Sequence, residues 1–345
     1  MTTISGTDVP GTTHGNPRGT WRHISPDEPE KEPEDEEEAQ DRSGSDDASK
    51  LLVVKCGGNS EVDADSVCAD VAELVRAGHR LVLVHGGSAE IDRLADELGV
   101  PQRRLVSPDG VSTRRTDDAT LEVVTLALAG SVKPRLVSEL IRNGVEAVGL
   151  TGVDGSLIRT RRRTGQKAVV DGRTVVVRDD RSGRIQAVRG ELVSALLTQG
   201  YVPVVSPPAV DEQGVTVNAD ADRVAAALAA ALGADRLVLL TGASGVLADP
   251  HDEDSVLTDY DVNAAGRPGK FAKGGMAIKL VAAREALTGG VDEVTVADGR
   301  GERPVGDALD GAGTTVHLAP EPGSDGRPEP ARETRTRAHS DGSNR

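Results

Sequence analysis

From about residue 50 to about residue 320 the chain alternates between two kinds of apolar segment. Short unbroken runs, such as Leu51-Leu52-Val53-Val54 and Leu81-Val82-Leu83-Val84, read as strands buried on both faces. Longer segments between them carry apolar residues three and four apart, as Val67, Val71, Leu74 and Val75 do. The spacing predicts strands over 51–55, 80–85, 145–150, 201–206, 236–241 and 293–297. It predicts helices over 64–77, 88–98, 117–129, 132–143, 191–199, 221–232 and 275–287. Gly78 and Gly144 are helix stops, and Asp117 or Thr116 is the cap of 117–129. This alternation predicts an α/β fold with a parallel sheet covered on both faces. Residues 167–170, 174–178 and 184–188 are shorter and more polar. With the turn signals Asp171-Gly172 and Ser182-Gly183 they predict a meander on the rim of the sheet.

The flanking regions differ. Residues 1–49 are rich in Gly, Thr, Pro and acids, and 27–41 is almost wholly charged. Such a segment buries too little apolar surface to offset its ordering entropy, so a disordered acidic extension is expected there, and a disordered tail over 321–345. The formal net charge is −16, aromatics are 1%, and only eight of the 40 basic residues are lysine. An acidic surface poor in lysine and aromatics suits high salt, and a halophilic setting is expected. The same charge argues against a nucleic-acid partner. Cys56 and Cys68 form no CxxC and no His/Cys cluster, so neither a disulfide framework nor a metal site is expected. The chain shows no signal-peptide pattern and no apolar run near the ~18 residues of a membrane span. A cytoplasmic protein without a membrane partner is expected.

Scarce lysine makes its placement informative: Lys55, Lys273 and Lys279 lie in or beside glycine-rich segments. Lys55-Cys56-Gly57-Gly58-Asn59 and His85-Gly86-Gly87-Ser88 each follow a predicted strand. Glycine turns of this kind expose backbone N–H groups, and a helix beginning there adds its positive end. Each alone also fits a tight βα turn. Together, at the ends of consecutive parallel strands, they open on one edge and can cradle phosphate. His85 reads as a satisfied strand-end histidine. Asn218, Asp220 and Asp222 crowd one turn before an alanine-rich helix. An N-cap accounts for one of these carboxylates, and Asp222 is the candidate orienter of lysines. Gly274-Gly275 before Lys279 reads as a helix start that caps phosphate.

At this point the chain resembles the amino acid kinase family over about 50–320, in its N-acetylglutamate kinase branch. The matching segments are Lys-x-Gly-Gly-Asn at 55–59, Val-His-Gly-Gly at 84–87, Thr-Arg-Arg-Thr-Asp at 113–117, Asn-Ala-Asp-Ala-Asp-Arg at 218–223 and Gly-Gly-Met-x-x-Lys at 274–279. Segments 107–110, 149–155, 159–163 and 178–183 are similar to kinases that act on glutamate or 2-aminoadipate held by a small amino-group carrier protein of the LysW type. The resemblance implies an α/β/α sandwich with a mainly parallel sheet and two lobes: an amino-acid-binding and dimerisation lobe at 50–206 and an ATP-binding lobe at 207–320. It implies Lys55, Asp222 and Lys279 as catalytic residues, and Gly86, Gly87, Arg114 and Asn218 at the amino-acid substrate. Gly57, Gly58, Thr241, Lys273 and Gly275 are implied at the phosphates and nucleotide. ATP, with Mg²⁺, a LysW-type carrier and a homodimer follow from the same resemblance.

The basic stretch 159–163 with Lys167 is unusual in so acidic a chain. Alone it fits a solvated loop; beside the resemblance it fits a dock for an acidic carrier. One departure stands out: Gly242 follows Thr241 where the family commonly has aspartate. The leading function is thus ATP-dependent phosphorylation of a carrier-bound side-chain carboxylate, in arginine or lysine biosynthesis. An N-acetylglutamate kinase acting on free substrate is the alternative, and a non-catalytic sensor of the same fold a more distant one.

Overall fold

The computed structural model describes residues 22–23, 49–58, 62–108, 111–162, 165–170, 172–262 and 274–319. Most of the acidic extension and the tail lie outside the described residues, as do Asn59, Asp109, Gly110, Arg163 and Lys273. Eight strands form one sheet, in the spatial order 259–262, 314–318, 293–298, 236–241, 51–56, 80–85, 202–206, 147–151. All pairs are parallel except Glu293–Asp298 with Thr314–Leu318.

Strand pleating sends alternate side chains to opposite faces. Leu51 and Val53 join one core with Val82, Val84, Leu237 and Leu239, beneath the helices Gly190–Thr198, Ala221–Leu232 and Gly275–Thr288. Leu52 and Val54 join the other with Leu81 and Leu83, against Ala64–Arg76, Lys133–Arg142 and Pro304–Leu309. Burial on both faces explains why these strands are unbroken apolar runs. Asp70, on Ala64–Arg76, accepts from Val305 N (2.6 Å) and Gly306 N (2.9 Å) and so caps the short helix beside it.

Leu51–Cys56 lies between Arg80–His85 and Arg236–Thr241, so chain order reverses at its carboxyl end. Outward-leading loops leave a crevice at such a point. The site is built there.

The helices expected at 117–129 and 132–143 are one continuous rod. Asp118–Thr125 passes through a seven-residue π-helical stretch, Leu126–Val132, into Lys133–Arg142. Gly130 lies inside the π-helical stretch, and Pro134 follows it at the start of Lys133–Arg142. The meander also divides. Gln166–Val170 and Arg173–Val177 form a separate hairpin closed at Gly172 (φ 71°). Gly183–Val188 pairs with Ile158–Arg162 in a second sheet, to which Arg22–His23 adds an antiparallel edge. Ser182-Gly183 is no hairpin turn. A Cβ on Gly183 would stand 2.5 Å from Thr160 Oγ1, so that glycine permits close strand contact.

Candidate active site

By pleat parity Lys55 faces the same side as Val53, toward the helices that carry Asp222 and Lys279. Lys55 Nζ lies 3.0 Å from Asp222 Oδ1, and Lys279 Nζ lies 2.8 Å from the same oxygen. The three residues are 5%, 8% and 7% exposed, in the order Lys55, Asp222, Lys279. Small residues let the two helices approach: a Cβ on Gly289 would lie 2.5 Å from Ala230 Cβ. Arg223 also clamps them, its Nε donating to Glu285 Oε2 at 2.8 Å.

Burial opposes charge on all three groups, and their mutual attraction restores it. Burial pulls Lys55 down, but the Asp222 carboxylate outweighs it and holds the ammonium above its ordinary range. Burial pushes Asp222 up, yet the two lysines bring it down to about 2. Burial, with Lys55 close by, lowers Lys279 to about 8 despite Asp222. At neutral pH the cluster therefore holds two cations and one anion. Lys55 and Asp222 line a cleft of about 440 Å³, and so does Asp220, whose carboxyl burial pushes up.

The two glycine turns meet backbone to backbone. A Cβ on Gly58 would lie 2.2 Å from Gly87 N, and one on Gly87 would lie 2.6 Å from Leu128 Cδ2. Ser88 Oγ and Ala89 N each donate to Gly58 O at 2.9 Å, fastening one turn to the other. Gly58, Gly86 and Gly87 all line the cleft with Lys55 and Asp222. The helix Ser88–Leu98 starts at this junction, so its free N–H groups add positive potential.

Arg114 and Asn218 line the same cleft. Arg114 ends a small hairpin, Arg104–Val106 with Ser112–Arg114. Its Nη1 donates to Asp92 Oδ1 at 2.7 Å and also to Gln102 Oε1. The three acids and amides of the 218–222 turn separate into three positions. All three line the cleft, but Asp220 also caps its helix by accepting from Arg223 N at 3.1 Å, and Asp222 binds the lysines.

Other expected residues lie elsewhere. Gly57 borders a second cavity, of about 650 Å³, on the far side of the glycine turns. His85 faces that cavity too, since parity aligns it with Leu81 and Leu83. Its Nδ1 is 2.8 Å from Gly86 O, and burial lowers its pKa to about 4, so it is neutral. Thr241 ends its strand in register with Asp298, beyond the level of Lys55. Gly275 opens the helix of Lys279 behind Gly274 (φ 57°). Sequence reasoning missed Ser182, Gln166, Arg104 and Leu128 in the cleft lining. The hairpin strands are three residues long, too short for a periodic signal, and Leu128 enters through the π-helical stretch.

Two buried ammonium groups around one carboxylate, beside stacked glycine turns, suit a transferring phosphoryl group. The sequence profile of the amino acid kinase family matches residues 50–298. The chain belongs to the amino acid kinase family. This family member is an enzyme, a phosphotransferase. It is 42% identical over 266 residues to the [LysW]-aminoadipate kinase of Deinococcus radiodurans, covering 77% of this chain and 91% of that protein. The [LysW]-aminoadipate kinase of Thermus thermophilus is 41% identical, with 77% and 100% covered. An acetylglutamate kinase of Acinetobacter baumannii is 37% identical, with 73% and 82% covered. Among solved structures, carbamate kinase from Giardia lamblia bound to AMP-PNP shares the fold at TM-score 0.54 and 17% identity, over 79% of this kinase and 100% of that chain. Among the described residues no helix is long and apolar enough to cross a membrane.

Proposed function

We propose that the protein transfers the γ-phosphoryl group of ATP to the side-chain carboxylate of glutamate or 2-aminoadipate carried on a small acidic protein of the LysW type. The product is an acyl phosphate for arginine or lysine biosynthesis. The observation that carries this reading is the Lys55–Asp222–Lys279 cluster, whose Lys55 and Asp222 line one cleft together with Arg114 and Asn218. A carboxylate is ionised at neutral pH, so its attack needs no general base. This agrees with the neutral His85 lying outside the cleft.

The obstacle is repulsion between two anions brought into line. Lys55 and Lys279 offset it from a dry site, and Asp222 keeps both ammonium groups on one point. Backbone N–H groups of the glycine turns add donors. Arg114 holds the substrate's α-carboxylate, exchanging Asp92 for it, while Asn218 sets its orientation. Mg²⁺ arriving with the nucleotide would screen the phosphates. Thr241, Lys273 and Gly275 are assigned to the nucleotide side. We assign residues 50–206 and 207–320 to acceptor and nucleotide, respectively. A homodimer joins through the first lobe, where Ala147–Thr151 is a sheet edge and Leu126 and Ile141 are 50% and 55% exposed. A cytoplasmic location belongs to the same proposal.

A carrier dock is supported by the second sheet. Arg161 and Arg184 are cross-strand partners, both exposed, with exposed Lys167 and Arg173 on the neighbouring hairpin. Like charges directly opposite are unfavourable, and an acidic partner offsets that cost.

The test is hydroxylamine trapping of acyl phosphate in molar KCl, with carrier-bound glutamate, carrier-bound aminoadipate and free N-acetylglutamate compared. Turnover on the carrier substrates is expected. Arg161→Glu with Arg184→Glu should raise the carrier KM at least several-fold and leave the ATP KM alone. Turnover on free N-acetylglutamate only would replace this reading with the acetylglutamate kinase one.

The lowered pKa of Lys279 gives a pH expectation. The cationic form is the active one, so activity holds below the pKa and falls as pH rises through it. In kcat/KM, which reports the free enzyme, the basic limb should lie near pH 8. In kcat it should move upward, because bound phosphate favours the ammonium. A kcat/KM profile flat to pH 9.5 would remove Lys279 from this role.

A further inference from the structure

The substrate end of the cleft is assembled from three chain segments far apart in sequence: 114–117, 180–183 and Asn218. Each is a loop or strand end, and none is held by the main sheet. Their joint is a buried carboxylate that does not line the cleft. Asp180 is 1% exposed, and its two oxygens divide between two segments. Oδ2 accepts from Thr116 N at 3.1 Å, and Oδ1 accepts from Ser182 N at 2.8 Å. The backbone continues the seam: Arg181 N donates to Thr116 O at 2.6 Å, Asn218 N to Arg181 O at 2.8 Å, and Gly183 N to Asn218 O at 2.9 Å.

Thr116, fully buried, carries the seam to the Asn218 side chain. Asn218 Nδ2 donates to Thr116 Oγ1 at 3.1 Å, and the Thr116 hydroxyl lies 3.5 Å from Arg114 O, toward which it donates. With its proton directed there, the Thr116 oxygen is an acceptor for Asn218. That choice fixes which end of the carboxamide faces Thr116. It presents the second N–H and Oδ1 in one orientation.

We infer that Asp180 and Thr116 are positioning residues that set the distance between Arg114 and Asn218 and lock the Asn218 carboxamide. They act on recognition of the acyl acceptor and leave the phosphoryl-transfer cluster untouched. The kinetic part rests on the proposed kinase reading. The bonding part rests on geometry alone.

The test uses the full chain and three variants. Thr116→Val keeps the shape and removes the hydroxyl, Thr116→Ser restores it, and Asp180→Ala removes the joint. In Thr116→Val and Asp180→Ala the acceptor KM should rise about ten-fold, the effect of one lost hydrogen bond to bound substrate. In both, kcat should stay within about two-fold and the ATP KM unchanged, and Thr116→Ser should behave as the native enzyme. Independently, asparagine-selective ¹⁵N labelling, assigned with Asn218→Ser, should show an exchange-protected Asn218 side-chain proton. It should persist in Thr116→Ser and disappear in Thr116→Val. Native enzyme inactive on every acceptor would sink the kinase reading, while the NMR result still decides the clip. A folded Thr116→Val protein with a protected Asn218 proton, or with an unchanged acceptor KM in active enzyme, overturns the inference. Should Asp180→Ala fail to fold, the Thr116 pair decides.

Discussion

Lys279→Ala is expected to lower kcat by at least about 10²–10³, the usual cost of removing one well-placed donor to developing charge. The reason is local. Lys279 Nζ shares Asp222 Oδ1 with Lys55, so without it the cluster falls from a surplus of one positive charge to none. Folding should survive. Asp222 keeps Lys55 at 3.0 Å, so no buried charge is left unpaired. The KM for the acyl acceptor should change little, because the proposed acceptor contacts are those of Arg114 and Asn218, not of Lys279. Steady-state kinetics and a thermal melt on the same preparation test both halves. A rate within a few-fold of native would show that Lys279 does not act on the phosphoryl group. A collapsed melting transition would make it a structural residue.

Asp222→Ala should fail in a different manner, losing activity and stability together. It leaves two ammonium groups, 5% and 7% exposed, facing each other without the carboxylate that both contact. Stranding one partner of a buried pair costs about 3–5 kcal/mol. The pH dependence identifies the cause. Without Asp222 the folded-state pKa of Lys55 falls from above its unfolded value to below it, and that of Lys279 drops further below. The unfolded chain then binds more protons, so the variant's stability should increase with pH until the lysines are neutral in both states. Urea titrations at pH 7 and pH 9.5 should show the deficit shrinking relative to native protein. An equal deficit at both pH values would mean that the loss comes from packing. Asp222→Asn should share the activity loss, since an amide lacks the charge that holds both ammonium groups.

Much of the frame was legible in the sequence. Strands buried on both faces must be apolar along their whole length, so 51–55, 80–85 and 236–241 stood out, and the observed strands agree to within a residue. Helix caps were equally local: Asp117 accepts from Thr120 N at 2.9 Å as its spacing predicts. The separation of Asp220 from Asp222 was less visible. Both sit at one helix start, and only the direction of each side chain made one a cap and the other a lysine partner. The rod from 118 to 142 was read as two helices because the π-helical stretch that joins them leaves no signal in the apolar spacing.

The sequence by itself determined six strands of the eight-stranded sheet, the glycine turns and the identity of the charged residues, since each depends on a few neighbouring positions, while the edge strands 259–262 and 314–318 were not read from it. It also determined which side Lys55 faces, through the two-residue period of the strand. Tertiary structure decided what those residues meet. Lys55 and Lys279 share one oxygen because two alanine-rich helices pack closely, which no local pattern encodes. Arg114, Thr116, Asp180 and Asn218 came together through bonds between segments distant in sequence, such as Thr116 N to Asp180 Oδ2. Pairing at that range is set by where whole elements pack, and burial then makes each such bond costly to lose.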